Sequence, residues 1–253
     1  MQATLRVGLI IIGDEILSGK RQDKHLMQAN SLLRPRGLAV SWVKILGDEP
    51  TFLTQELKHS FASGDVVFCF GGIGATPDDR TRQCAAEALG LRIERHPEAI
   101  KEIEAQFGEH AYPQRIHMAE YPKGAAIIPN FYNRVPGFSI HNHYFMPGFP
   151  MMAKPMMEWV LDTYYKQACQ SPTIEKGIKI INGQESDWVE FMECFEGQFP
   201  QLRLFSLPSI LDDETRTIDL GVEGFVEEAE RGYQAIIEEA EKRQAEWRPL
   251  KVF

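Results

Sequence analysis

Apolar residues in this chain fall into short continuous runs separated by longer stretches with helical spacing. Leu5 to Ile12 is an almost unbroken aliphatic run ending at Gly13, the pattern of a strand buried on both faces. A helix is predicted from His25 to Leu33, stopped by Arg34-Pro35. Leu38 to Ile45 then reads as a strand, Thr51 to Phe61 as a helix, Val66 to Phe70 as a strand and Thr81 to Leu89 as a helix ended by Gly90. This β-α-β-α-β-α order predicts an α/β fold with a parallel sheet, helices on both faces and ligand sites at the carboxyl ends of the strands.

Beyond Gly90, Pro97 to Phe107 carries Ile100, Ile103 and Phe107 at helical spacing and reads as core-facing scaffold. Ala125 to Ile128, Phe138 to His141 and His143 to Met146 read as strands, and Met151 to Tyr165 as a helix after the Pro147-Gly148-Phe149-Pro150 turn. Ser171-Pro172-Thr173 marks a hinge. After it come a strand (Gly177 to Ile181), a helix (Glu185 to Phe199), two strands (Leu202 to Leu207, Thr217 to Val222) and a helix (Val226 to Ala245). That last helix carries Val226, Ala229, Tyr233, Ile236, Ile237 and Ala240 on one apolar stripe. The expected organisation is a larger domain over residues 1–168 and a small α+β domain over 169–253.

With 253 residues, 43% hydrophobic and 25% charged, the chain reads as globular and large enough for one sizeable core plus a smaller one. The apolar run Val7 to Ile12 is too short for a membrane span or a signal-peptide core, so a cytoplasmic location without membrane contact is expected. Cys69, Cys84, Cys169 and Cys194 form no C-x-x-C pair and read as reduced core thiols. Residues 1–170 carry 18 acidic and 18 basic side chains against 18 and 9 in residues 171–253, so the whole formal charge of −9 lies in the last third. Such a surplus of carboxylates argues against a nucleic-acid partner.

Candidate chemistry concentrates in three loops that follow predicted strands: Gly13-Asp14-Glu15, Gly47-Asp48-Glu49 and the stretch Gly71-Gly72-Ile73-Gly74-Ala75-Thr76-Pro77-Asp78-Asp79-Arg80-Thr81. In the third, three glycines in four positions let backbone N–H groups approach an anion, and the helix starting near Thr81 adds its positive end. Two aspartates repel phosphate. Either a divalent cation stands between them and the ligand, or one of them handles a proton or a ligand hydroxyl. Plainer readings stay open: Asp79 or Thr81 as helix N-cap, and Asp14-Glu15 and Asp48 as turn or cap residues. If the three strands are adjacent, their loops share one rim, and the carboxylates surround one glycine-lined pocket to which the Pro147-Gly148 turn could add backbone amides. His141 and His143 form an H-x-H pair with no evident third ligand, which speaks against a metal site there. Met146, Met151, Met152, Met156 and Met157 read as adaptable core filling.

Four ordered blocks carry a resemblance to a known family: Gly13-Asp14-Glu15-Ile16-Leu17-Ser18-Gly19, Gly47-Asp48, Gly71 to Thr81, and Phe145-Met146-Pro147-Gly148-Phe149-Pro150. Together they resemble the N-terminal region of CinA-type (competence/damage-inducible protein A) proteins and, more loosely, the molybdopterin-binding MoaB/Mog proteins and the related domain of eukaryotic FAD synthases. The likeness covers roughly residues 5 to 165. It implies a three-layer α/β/α domain with a mostly parallel sheet, binding a pterin or nucleotide diphosphate at its carboxyl edge, and the small domain resembles the middle domain of CinA-type proteins. For the site it implies Asp48 and Asp79 as catalytic residues that hold or orient a divalent metal (Mg, Mn or Co) with the ligand diphosphate. Gly72 and Gly74 would cradle phosphate and Thr76 add a hydroxyl. Gly13, Asp14, Gly71, Asp78, Thr81, Pro147 and Gly148 complete the expected binding set.

In CinA-type proteins the resemblance implies metal-dependent hydrolysis of ADP-ribose to AMP and ribose 5-phosphate; in Mog-type relatives, adenylyl transfer to molybdopterin. A non-catalytic nucleotide-binding sensor is the third reading. A homo-oligomer is implied as well. Two departures bear on substrate: Ala75 stands where the CinA type usually has Pro, and Lys20-Arg21-Gln22-Asp23-Lys24-His25 replaces an Asn-containing segment. The C-terminal amidohydrolase of full CinA proteins, which hydrolyses nicotinamide mononucleotide, is not expected within 253 residues.

Overall fold

Strand β1 (Val7–Ile12) is buried at every position in the computed structural model, which describes residues 5–168, 173–211 and 215–250. The chain divides into two units, Met1–Gln170 and Ser171–Phe253. In the first unit β1 leads through α1 (Asp14–Leu17) and α2 (His25–Leu33) to β2 (Val40–Leu46), then α3 (Pro50–Ser63), β3 (Val66–Phe70) and α4 (Thr81–Ala88). There follow β4 (Ile93–Arg95), α5 (Pro97–Phe107), β5 (Glu120–Pro122), β6 (Ala126–Ile128), β7 (Gly137–Ile140), β8 (His143–Met146) and α6 (Pro150–Tyr164). The main sheet has the order β2-β1-β3-β8-β7-β6. Its first four strands are parallel, and β7 and β6 close it antiparallel.

The three-layer α/β/α architecture follows from residue alternation along these strands. Ile10, Ile12, Val67, Cys69 and Phe145 face a core completed by Leu53 and Leu57 of α3, Ala85 of α4 and Ile103 of α5. Their sequence neighbours Leu9, Ile11, Phe68, Phe70, Tyr144 and Met146 face a second core with Leu32 and Leu33 of α2 and Met156 and Val160 of α6. Each fully buried side chain such as Phe68 contributes roughly 1.5–3 kcal/mol. The apolar runs are continuous because both faces are covered.

The second unit runs β9 (Thr173–Ile181), α7 (Val189–Gln198), β10 (Arg203–Ile210), β11 (Arg216–Phe225), α8 (Val226–Lys242) and β12 (Trp247–Pro249). Its antiparallel sheet has the order β10-β11-β9-β12. Ile178, Ile180, Ile218, Leu220 and Val222 point to one face and pack on Trp188, Phe195, Ala229, Ile236 and Ala240.

Several boundaries move for identifiable reasons. Helix α3 begins at Pro50, not Thr51, because Glu49 caps it, accepting the N–H groups of Thr51 (3.0 Å) and Phe52 (2.7 Å). Helix α2 ends at Leu33 as expected, and a 3-10 turn, Arg34–Arg36, leads from it to left-handed Gly37. The predicted helix from Glu185 is a 3-10 turn, Glu185–Trp188, before α7. Strand β9 starts at Thr173, four residues before Gly177, since pairing with β11 extends over its polar end. The stripe helix ends at Lys242 rather than Ala245. Strands β4, β5 and β12 escape prediction because each has three residues and little apolar pattern.

Some core assignments also change. Met146, Met156 and Met157 are buried, but Met151 is exposed; Val226 of the α8 stripe is exposed too. Cys69 and Cys84 are buried thiols, whereas Cys194 is exposed. Cys169 and the Ser171-Pro172 hinge lie outside the described residues. His141 is no strand residue: it has φ 51° in the β7–β8 turn, while His143 is buried with its ring 2.7 Å from Ser60 Oγ. The two imidazoles therefore do not share a strand face. Among the described residues no helix is long and apolar enough to cross a membrane.

Candidate active site

Because β2, β1, β3 and β8 are adjacent and parallel, the loops after all four open on one edge of the sheet. The backbone knits them together. Gly13 N–H donates to the Leu46 carbonyl and Gly71 N–H to the Met146 carbonyl, each at 3.0 Å. At Gly71 (φ 109°) a Cβ would stand 2.1 Å from the Ile12 carbonyl oxygen, and at Gly72 (φ 67°) 2.1 Å from Thr81 Oγ1. Both positions require glycine by conformation and by space.

The rim encloses a cavity of about 160 Å³ whose wall includes Gly13, Glu15, Arg21, Asp48, Gly71, Gly72, Asp78, Asp79, Gly148 and Phe149. Seven of the expected site residues thus meet: Gly13, Asp48, Gly71, Gly72, Asp78, Asp79 and Gly148. The others support it or look elsewhere. Asp14 pairs with Asp48 across the β1 and β2 loops: Asp14 N–H donates to Asp48 Oδ2 at 3.0 Å, and Asp48 N–H to Asp14 Oδ1 at 3.2 Å. Thr76 donates its hydroxyl and, at 3.0 Å, its N–H to Asp79 Oδ2. That hydroxyl is engaged on a carboxylate rather than offered to phosphate. Thr81 is wholly buried and donates to the Gly71 carbonyl at 3.1 Å. Gly74 and Pro147 line a separate apolar cavity of about 160 Å³ behind Phe149.

Asp14 and Glu15 form the acidic first turn of α1, as the plainer reading had it, whereas the capping alternatives for Asp48 and Asp79 do not hold. Helix α4 has Arg80 at its N-cap with no side-chain bond, and α3 is capped by Glu49. Asp79 and Asp48 are therefore free of helix duty. Each has Oδ2 held by a loop hydrogen bond, which leaves Oδ1 for a ligand.

Electrostatics single out Asp48. Burial pushes its carboxyl above the usual range, and the charges of Asp14, Glu15 and Asp78 push further, against the Asp14 N–H bond that lowers it. Asp78 lies below the usual range, with the neighbouring Thr76 hydroxyl, whose proton the geometry gives to Asp79, favouring its charge first, then its own amide and Arg80, against burial. Among the described residues Arg21 is the one cation in the wall of the acidic cavity. Among the described residues no three His, Cys, Asp or Glu side chains stand close enough to hold a metal unaided. The donor set suits a Mg²⁺-like ion that is held by one or two carboxylates and completed by substrate phosphates and water.

Two residues outside the expected set matter most. Arg82, buried in α4, donates to the carbonyls of Ile73 (2.9 Å) and Gly74 (2.7 Å); burial lowers its pKa, and Tyr121, Asp79 and Glu120 oppose that shift. It fixes the glycine loop from beneath. An arginine among small residues on the inner face of α4 was the available signal. Phe149, 56% exposed, stands at the rim and carries no motif by itself.

Residues 8–167 match a family described as a probable molybdopterin binding domain. A CinA-like protein of Syntrophotalea carbinolica is 29% identical over 191 residues, covering 72% of this chain and 46% of that protein. Another CinA-like protein, from Anaeromyxobacter sp. (strain K), is 32% identical over 165 residues, covering 62% and 40%. The chain spans less than half the length of these curated relatives. The crystal structure of the protein CinA with unknown function from Thermoplasma acidophilum shares the fold, with a TM-score of 0.57 at 23% identity over 62% of this chain and 96% of that one.

Proposed function

The chain belongs to the family of probable molybdopterin binding domains, and from that premise we propose that its first unit hydrolyses the diphosphate bond of an ADP-ribose-type nucleotide with a divalent cation. The observation that carries this reading is the meeting of Asp48, Asp78 and Asp79 with the bare backbone of Gly71, Gly72 and Gly148 in one cavity. So many carboxylates repel a phosphate unless a cation comes with it. Asp48, pushed up by its surroundings, is relieved when one does.

Asp48 and Asp79 would hold the ion through their Oδ1 atoms, and a bound Mg²⁺, Mn²⁺ or Co²⁺ supplies charge neutralisation and polarises the phosphoryl oxygens. The glycines let the diphosphate lie against main chain. Arg21 offsets its remaining charge, and Arg82 and Thr81 keep the loop in place so that little reorganisation accompanies reaction. Water attacks one phosphorus as the bond from that phosphorus to the bridging oxygen breaks, giving AMP and ribose 5-phosphate.

Family membership favours a second reading, adenylyl transfer to, or binding of, a pterin, for which exposed Phe149 offers a ring platform at the rim. The two separate in one assay, AMP release from ADP-ribose by the full chain with Mg²⁺, Mn²⁺ or Co²⁺ in turn and Asp79→Ala alongside. Metal-dependent release that disappears in the variant supports hydrolysis. No release with any metal sinks it, and nucleotide consumption only with a pterin acceptor establishes the transfer reading.

A further inference from the structure

Among the described residues four carboxylates stand in the wall of the acidic cavity, those of Glu15, Asp48, Asp78 and Asp79, and three of them are already engaged. Asp48 and Asp79 each have Oδ2 tied to a loop amide. Asp78 lies below its usual range through the Thr76 hydroxyl, its own amide and Arg80, against burial, so it is a poor proton acceptor. Glu15 differs. Among the described residues its carboxylate has no hydrogen-bond or ion-pair partner.

The chain around Glu15 sets its place. It stands in the first turn of α1, and its backbone carbonyl accepts the Arg21 N–H at 2.9 Å. Its side chain folds back over Gly13: a Cβ at position 13 would stand 2.5 Å from Glu15 Oε2 and 3.1 Å from Oε1. Any residue with a side chain at 13 would displace that carboxylate. The carboxylate thus lies over the end of β1, in the wall of the acidic cavity and of an adjoining one of about 550 Å³. Its charge reaches Asp48, pushing that carboxyl up after burial and the charge of Asp14 have done so. Yet Glu15 does not join Asp48 and Asp79 in a cage, since among the described residues no three such side chains stand close enough to hold a metal. An exposed, unbound carboxylate beside the metal-holding pair, but outside it, is placed to hold a water molecule rather than the ion.

We propose that Glu15 is the catalytic base of the hydrolysis, accepting a hydrogen bond from the attacking water and taking its proton as the water oxygen bonds to phosphorus. The bond from that phosphorus to the bridging oxygen breaks, and its electron pair leaves on the second phosphate. The carboxylate is exposed, so it returns the proton to solvent before the next turnover. Asp48 and Asp79 orient the ion while Glu15 orients the nucleophile. The inference rests on reading this cavity as a diphosphate hydrolase, and deepens it by naming the group that moves the proton.

AMP release from ADP-ribose by the full chain, over Mn²⁺ and substrate concentrations that reach saturation, tests it in wild type, Glu15→Gln and Glu15→Ala. Glu15 is exposed, so both variants are expected to fold. Glu15→Gln should lower kcat by on the order of a hundredfold, while KM and the Mn²⁺ concentration giving half activation stay within about twofold. Formate, a carboxylate small enough for the space left in Glu15→Ala, should restore its rate by about tenfold. A loss that saturating Mn²⁺ recovers makes Glu15 a metal ligand, and one that falls on KM alone makes it a substrate contact. A kcat loss that formate does not relieve makes its role structural. Each of these, like an unchanged kcat, overturns the inference. Hydrolysis by wild type beside an unimpaired Glu15→Gln removes this inference and leaves the proposed function, whereas no hydrolysis by wild type removes both.

Discussion

The two sheets of this protein treat their loops differently. In the first unit, β1, β2, β3 and β8 run parallel, so the chain after each strand emerges on the same side, and Gly13, Asp48, Gly71 and Gly148 meet although they lie far apart in sequence. In the second unit β9, β10, β11 and β12 are antiparallel, so successive strand ends fall on opposite edges. A parallel sheet concentrates loops and an antiparallel one divides them. The acidic, glycine-lined cavity arises in the unit whose topology gathers chain ends, although the second unit holds the whole net negative charge of the molecule. Position on the fold, rather than carboxylate count, makes the site.

Four experiments test this contrast. The largest effect is expected for Asp48→Asn combined with Asp79→Asn, which should cut metal-dependent turnover by on the order of a thousandfold or more. Amide exchange across residues 173–250 should stay unchanged. A double variant that keeps wild-type kcat would place the chemistry elsewhere. The reciprocal change, Phe195→Ala in the core of the second unit, should cost about 3–5 kcal/mol there. Hydrogen exchange should then rise in residues 173–250 while β1 and β3 amides keep their protection.

A smaller loss is expected for Gly72→Ala, which puts a side chain at φ 67° against Thr81 Oγ1. We expect about 1–3 kcal/mol of destabilisation, read from denaturant midpoints, with weakened pyrophosphate binding. Unchanged pyrophosphate affinity would show that the loop does not cradle phosphate. The smallest effect belongs to Asp48→Asn alone. The raised pKa of Asp48 means that the folded state holds its proton more tightly than the unfolded chain, so stability is lost as pH rises through the folded value and stays lost above it. The neutral amide carries no such loss, and its oxygen can still accept the Asp14 N–H. The variant should therefore melt slightly higher at neutral pH, with the two curves converging in acid below the carboxylate range. A variant less stable at every pH would refute the strain assigned to Asp48.

Much of the first unit was legible in its sequence. Val66–Phe70, His143–Met146, His25–Leu33 and Pro97–Phe107 fall where the apolar periodicity puts them, because strands buried on both faces and amphipathic helices leave clear patterns. The chemistry-bearing loops were equally visible as glycine-aspartate pairs after strands. Their division of labour was not. Whether Asp14 faces ligand or clamps Asp48, and whether Thr76 reaches phosphate or Asp79, depends on side-chain distances that no spacing encodes. Arg82 and His25 escape prediction for the same reason: an arginine among small residues, or a single histidine, does not name its partners, which are the carbonyls of Ile73 and Gly74 in one case and the Asp23 carboxylate in the other.

The sequence by itself determined the alternation of elements, the clustering of glycines after the third strand, and the placing of carboxylates in loops after strands. Those are local properties, written in residue type and period. Tertiary structure alone decided that β8 joins β3 so that the Pro147-Gly148 loop reaches the rim, that Asp48 stands among like charges, and that His25 Nε2 and Gln28 Oε1 of α2 are buried without partners. These are properties of proximity between segments distant in the chain, and proximity exists only once the sheet has ordered its strands.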